Sequence, residues 1–141
     1  MKRTCKRVIS LFLAVLLLTA LTACRRKANG DLWDTAVYQS DQTFGSGSTT
    51  IEVEVQAEER SVTFTLRTDK ETVGEALMEH KLIAGEKGEY GLYVKTVNGM
   101  LADYDIDQSY WAFCQNGEYL MTGVDSTAVS EGAHFELVYT K

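Results

Sequence analysis

From Thr49 the chain alternates apolar and acidic positions, Ile51, Val53 and Val55 against Glu52 and Glu54, which is the two-residue period of a half-buried strand. After the polar Glu58-Glu59-Arg60 the alternation resumes with Val62, Phe64 and Leu66, so the two segments predict a hairpin. Thr72 stands three residues ahead of Glu75, the spacing at which each side chain satisfies an orphan amide at a helix start. Val73, Ala76, Leu77 and His80 then mark the inner stripe of a short helix that yields near Leu82-Ile83. Strand patterns return over residues 91–97, 110–115 and 134–139. Asn98-Gly99 and Asn116-Gly117 are tight-turn signals, because both central positions of the favoured hairpin turn need positive φ. Strand, strand, helix and further strands predict an α+β fold, a β-grasp-like mixed sheet packed on one helix.

The first 23 residues have a different pattern. Basic Lys2, Arg3, Lys6 and Arg7 precede an apolar run from Val8 to Leu18, and small residues then lead to Cys24 and the polar Arg25-Arg26-Lys27. The run is shorter than the ~20 residues that span a bilayer and reads as a secretory signal over residues 1–23. Its end resembles the lipobox of bacterial lipoproteins, which implies that Cys24 is lipidated and that the protein is held at the extracytoplasmic face of a bacterial cell membrane. Residues 24–48 are polar and rich in glycine and serine, and are expected to be a flexible tether with a reach of roughly 27 Å. Trp33, Tyr38 and Phe44 interrupt its polarity and are candidates to dock on the domain, expected at residues 49–141, or to dip into the membrane interface.

Charge narrows the choice of partner. The full chain carries a net charge of −6, and cleavage ahead of Cys24 removes four basic and no acidic residues, leaving −10. Such a surface excludes nucleic acid as a partner and leaves cations, basic macromolecules and neutral small molecules. Cleavage also removes Cys5, and lipidation occupies Cys24, so Cys114 is left without a disulfide partner.

Tyr110-Trp111-Ala112-Phe113, followed by Asn116-Gly117-Glu118, Gly123-Val124-Asp125 and Glu131-Gly132 before a last strand, resembles the C-terminal domain family of transcobalamin, whose bacterial members form a domain of unknown function. The resemblance implies a β-grasp of the soluble-ligand-binding kind. In transcobalamin the domain supplies half of a vitamin B12 site, and the corrin-contacting positions fall here on Ala112 and Phe113. Ala112 has no amide to offer a corrin. The expected ligand-binding edge comprises Tyr110, Trp111, Ala112, Phe113, Tyr119, Gly123 and Asp125, with Tyr93 and Tyr139 as further aromatics and the ligand, small or macromolecular, unknown.

Two other chemistries deserve weighing. Asp103, Asp105 and Asp107 place a carboxylate at every second residue, as a hard divalent cation such as calcium requires, although Gln108 stands where a calcium loop has glycine and Cys114 where it has its bidentate glutamate. A cation held there would bind at about 10⁻⁴ to 10⁻³ M. Cys114 would be catalytic only with a base or positive neighbour, and His80 and His134 are the only histidines. No phosphate loop, zinc motif or serine triad is present in the sequence. The expectation is a lipid-anchored, non-catalytic ligand-binding or scaffold module, with divalent-metal binding as the alternative.

Overall fold

The Glu-Val alternation becomes β2 (Thr49–Ala57), hairpinned to β3 (Arg60–Thr68) in a register that pairs Val53 with Phe64 and Val55 with Val62. All four of these side chains are buried, and Glu52 and Glu54 take the opposite face. The computed structural model describes residues 30–141, and the expected signal peptide and the lipidation site at Cys24 lie outside the described residues. β9 (His134–Thr140) runs parallel to β2 on its other side. Antiparallel to β9 comes β7 (Tyr110–Gln115), followed by the short β8 (Glu118–Tyr119). With β1 (Gln42–Phe44), parallel to β3, the order is β1-β3-β2-β9-β7-β8.

The helix α1 (Val73–Glu79) packs on one face of this sheet. Its capping box forms as the spacing requires, with Thr72 accepting from the Glu75 amide and Glu75 accepting from the Thr72 amide. Val73, Ala76 and Leu77 are buried against Phe64, Leu66, Phe135 and Leu137 in one core. His80 caps the helix, its ring stacked on Phe44 at 5.2 Å. The α+β, β-grasp-like architecture follows, because a hairpin and a parallel last strand with one apolar face need one amphipathic cover.

A second, three-stranded sheet lies beyond the helix, formed by β4 (Ile83–Gly88), β5 (Gly91–Val97) and β6 (Met100–Leu101). β5 and the Asn98-Gly99 turn match the sequence pattern, and both turn residues have positive φ. β4 was not expected, because Ala84-Gly-Glu-Lys-Gly88 has no apolar alternation; five of its six residues are exposed and backbone pairing to β5 alone makes it a strand.

The domain boundary needs correction. Residues 31–48 are not a free tether, since Asp31–Lys141 is one compact unit. Asp31 caps a 3-10 turn over Leu32–Thr35 that sends Trp33 into the core, where it is 1% exposed and its Nε1 donates to the Ala57 carbonyl at 3.0 Å. Asn98 holds the next segment, donating to the Tyr38 carbonyl and accepting the Tyr38 amide. Tyr38, Phe44 and Phe64 then meet edge to face. The three aromatics that interrupted the polar composition are therefore what ties the segment down.

Candidate functional site

Between β5 and the β7–β8 hairpin, where the two sheets face each other, lies a cleft of about 210 Å³. Leu92, Tyr93 and Val94 form one wall, and Tyr110, Trp111, Phe113 and Tyr119 the other. The loop from Leu120 to Val124 closes one side. Strand alternation turns Trp111 and Phe113 inward, where Trp111 meets Tyr139 edge to face at 5.6 Å and Phe113 stacks on Phe135 at 5.6 Å. Trp111 Nε1 also donates to the Lys95 carbonyl at 3.2 Å, fixing β7 to β5. The floor is thus held by the core, whereas Tyr93, Tyr119 and Met121 are exposed.

Five of the seven residues expected at a ligand-binding edge line this cleft: Tyr110, Trp111, Phe113, Tyr119 and Gly123. The other two do not. Ala112 alternates away from Trp111 and Phe113 onto the opposite face of the sheet, where it pairs with Val138. Asp125 fastens the backbone, its carboxylate accepting the Leu92 amide at 2.9 Å. Leu120, Met121 and Thr122 fall within the Tyr110 to Gly123 segment expected to shape the edge, whereas Leu92, Val94, Val124 and Leu137 escaped the sequence reading. Nothing in the pattern of β5 tells which strand of another sheet its side chains will face.

The aspartate run is not the open loop that its spacing suggested. Tyr104–Asp107 forms a turn of helix, α2, with Asp103 as its N-cap accepting from the Asp105 amide. Asp103 also stands 3.8 Å from Lys95 Nζ. Asp107 accepts from the Ser109 hydroxyl and amide and from Lys141 Nζ, and these bonds, Ser109 first, hold its carboxyl below the usual range. Helical geometry spends these oxygens on local donors, and among the described residues no group of three or more His, Cys, Asp or Glu side chains is placed to hold a metal ion.

Cys114 is half-buried and free. Burial, and next the charge of Glu136, push its thiol above the ordinary value, the opposite of what activates a nucleophile. His134 lies on the same face but among carboxylates: Nδ1 is 3.2 Å from Glu52, and Nε2 is 3.4 Å from Glu54 and 3.6 Å from Glu136. No helix among the described residues is long and apolar enough to cross a membrane.

The family described as Domain of unknown function (DUF4430) matches residues 70–141, just over half of the chain. The chain belongs to this family. Among solved structures, this DUF4430 chain is similar to a "putative metal binding protein" from Ruminococcus gnavus ATCC 29149, with 37% identity and a TM-score of 0.64 over 67% of this chain and 98% of that one. It is also similar to haptocorrin, solved in complex with Cbi, with 20% identity and a TM-score of 0.57 over 70% of this chain. That match spans 26% of the haptocorrin chain and shows the shared fold, in keeping with the transcobalamin-like sequence pattern. No curated protein matches the DUF4430 chain.

Proposed function

We propose that the protein is a lipid-anchored, extracytoplasmic binding module that takes the apolar edge of a small molecule into the cleft between β5 and the β7–β8 hairpin, without chemistry. The observation that carries this reading is the cleft itself, with its rigid Trp111 and Phe113 floor under exposed Tyr93, Tyr119 and Met121. A few polar groups over an aromatic floor are the usual make-up of a small-molecule site. At about 210 Å³ the space is smaller than the roughly 300 Å³ at which complete pockets begin, so it suits part of a ligand whose remainder is covered by another surface. The haptocorrin complex supports corrinoids as the first ligands to try.

The test is tryptophan fluorescence of the full chain titrated with a corrinoid panel, alongside Tyr119→Ala and Met121→Ala. Quenching that weakens in both variants while their apo melting temperatures hold supports the reading. Equal quenching in all three proteins places the ligand elsewhere and removes it.

A second reading, capture of a divalent cation such as calcium, is favoured by the description of the Ruminococcus gnavus relative. The sequence nominated Asp103, Asp105 and Asp107 for it. An Asp105→Asn variant that loses a calcium-induced rise in melting temperature would support that turn as the site.

A further inference from the structure

The chain uses one dipeptide in two hairpin turns, Asn98-Gly99 between β5 and β6 and Asn116-Gly117 between β7 and β8. Their φ angles agree, 51° and 80° in the first turn and 50° and 81° in the second. Their surroundings are opposite. Asn98 is 1% exposed, and its side-chain amide donates to the Tyr38 carbonyl at 2.8 Å and accepts the Tyr38 amide at 2.9 Å. Gly99 is pressed against Thr35 and Val37. Asn116 and Gly117 are exposed, and a Cβ added to Gly117 would meet nothing within 4 Å. A carboxylate nevertheless reaches this open turn, where Glu136 Oε1 accepts the Gly117 amide at 3.0 Å.

We infer that Asn116-Gly117 is a site of spontaneous covalent modification, at which the Gly117 nitrogen attacks Asn116 Cγ while Glu136 takes its proton, and that Asn98-Gly99 is shielded from the same reaction. The bond between Gly117 N and Asn116 Cγ forms and the Cγ–Nδ2 bond breaks. The proton passes from Gly117 N through Glu136 to the side-chain nitrogen, which leaves as ammonia, and a cyclic succinimide remains. Water then opens either carbonyl of the ring, giving aspartate or isoaspartate at position 116. Asparagine is thermolabile by this kind of chemistry, and glycine after it leaves the attacking nitrogen unhindered by a side chain.

Glu136 meets the geometric condition for a general base, since it already lies within hydrogen-bond distance of the proton to be removed. Its side chain is only 9% exposed and is hemmed in on every side. Oε1 stands 3.6 Å from His134 Nε2, Glu52 and Glu54 flank the same imidazole, and Cys114 faces Glu136 across the β7–β9 ladder. The exposed Asn116 side chain is free to swing Cγ over the Gly117 nitrogen, whereas Asn98 would first have to break both of its bonds to Tyr38. Conversion changes the hairpin. The imide has no N–H to give Glu136, and isoaspartate lengthens the main chain by one methylene where β7 turns into β8, the strand that carries Tyr119. The reaction itself is independent of what the cleft binds.

The test is peptide mass spectrometry of the full chain aged in neutral buffer, wild type beside Glu136→Gln, with a sample of each aged in urea. The folded wild type is expected to convert Asn116 much faster than Asn98, with isoaspartate among the products, while in urea the two sites convert alike. Glu136→Gln keeps an acceptor for Gly117, and circular dichroism checks its fold. It should slow conversion of Asn116 by about tenfold or more in the folded chain and leave the rate in urea unchanged. In the folded wild type the rate at Asn116 should level off with rising pH once Glu136 is ionised, whereas in urea it should climb with hydroxide. Equal rates at Asn98 and Asn116 in the folded chain overturn the site. A folded Glu136→Gln chain that converts as fast as wild type, or a folded wild-type rate that climbs with hydroxide throughout, overturns Glu136 as the base.

Discussion

The Asp125 carboxylate accepts the Leu92 amide at 2.9 Å and lies against Gly91, so the loop that closes the cleft and the strand that forms its wall are fastened together. Gly91 has a φ of 104°, and a Cβ there would meet Asp125 Oδ2 at 2.6 Å. Asp125→Ala is expected to cost about 1 kcal/mol of stability and to weaken any ligand of the cleft by loosening a wall it does not itself line. Gly91→Ala is expected to cost more, since it combines backbone strain with displacement of the carboxylate. Urea unfolding of both variants checks the order.

Gly74 gives a prediction of inverted sign. Replacing a glycine inside a helix by alanine ordinarily stabilises by about 1 kcal/mol. Here the Asp125 backbone crosses over α1 so closely that an added Cβ would stand 3.0 Å from Asp125 Cα and N. The neighbour is main chain, itself tied down by the Val73 amide donating to the Thr127 carbonyl, and cannot swing aside. Gly74→Ala is expected to lower the melting temperature, and a rise would show that the 123–127 loop yields.

The hairpin, helix cap, β5, β7 and β9 were legible because each carries its own period or turn signal. The α+β class followed from their order alone. Residues 31–48 were not, because their contribution rests on single aromatics spaced through polar sequence, and no period marks a lone Trp33 that buries itself against Ala57. The cleft was half legible: β7 supplied its aromatics, but pairing them with β5 depends on how two sheets face, which strand patterns do not encode. The His134 cluster was invisible for the same reason, since Glu52 and Glu54 become neighbours of residues 134 and 136 only through parallel pairing.

The revised boundary has a direct consequence. A chain beginning at residue 49 lacks Trp33, β1 and the Tyr38–Phe44–Phe64 contacts. Trp33→Ala in the full chain should cost about 3–5 kcal/mol, the usual range for removing a buried tryptophan. The truncated form should be at least as unstable in denaturant. Equal midpoints for the truncated and full chains would restore the tether.

Acid sensitivity follows from two aspartates, Asp69 exposed and Asp107 half-buried. Asp69 accepts from the backbone and hydroxyl of Ser48, and Asp107 from the hydroxyl and backbone of Ser109 and from Lys141, so both carboxyls lie below their ordinary 3.8. A folded-state value depressed below the unfolded one contributes stability that is present above the unfolded value and lost as pH falls through the folded one. The loss should therefore begin near pH 3.8 and deepen below it. Asp69→Asn and Asp107→Asn should each flatten the acid limb of melting temperature against pH and leave its slope above pH 5 unchanged.

Cys114 separates a binding module from a thiol enzyme. Burial comes first and Glu136 second in raising its pKa above the ordinary value, so near neutral pH it is held as the unreactive thiol. Alkylation by iodoacetamide at pH 8 should be slower than for a free cysteine, whose ordinary value near 8.5 leaves a sizeable thiolate fraction there. Glu136→Gln removes the repulsive charge and leaves the burial, so it should speed labelling modestly without reaching the free rate. Wild-type labelling faster than free cysteine would show a positive group beside the sulfur and would make catalysis the reading to pursue.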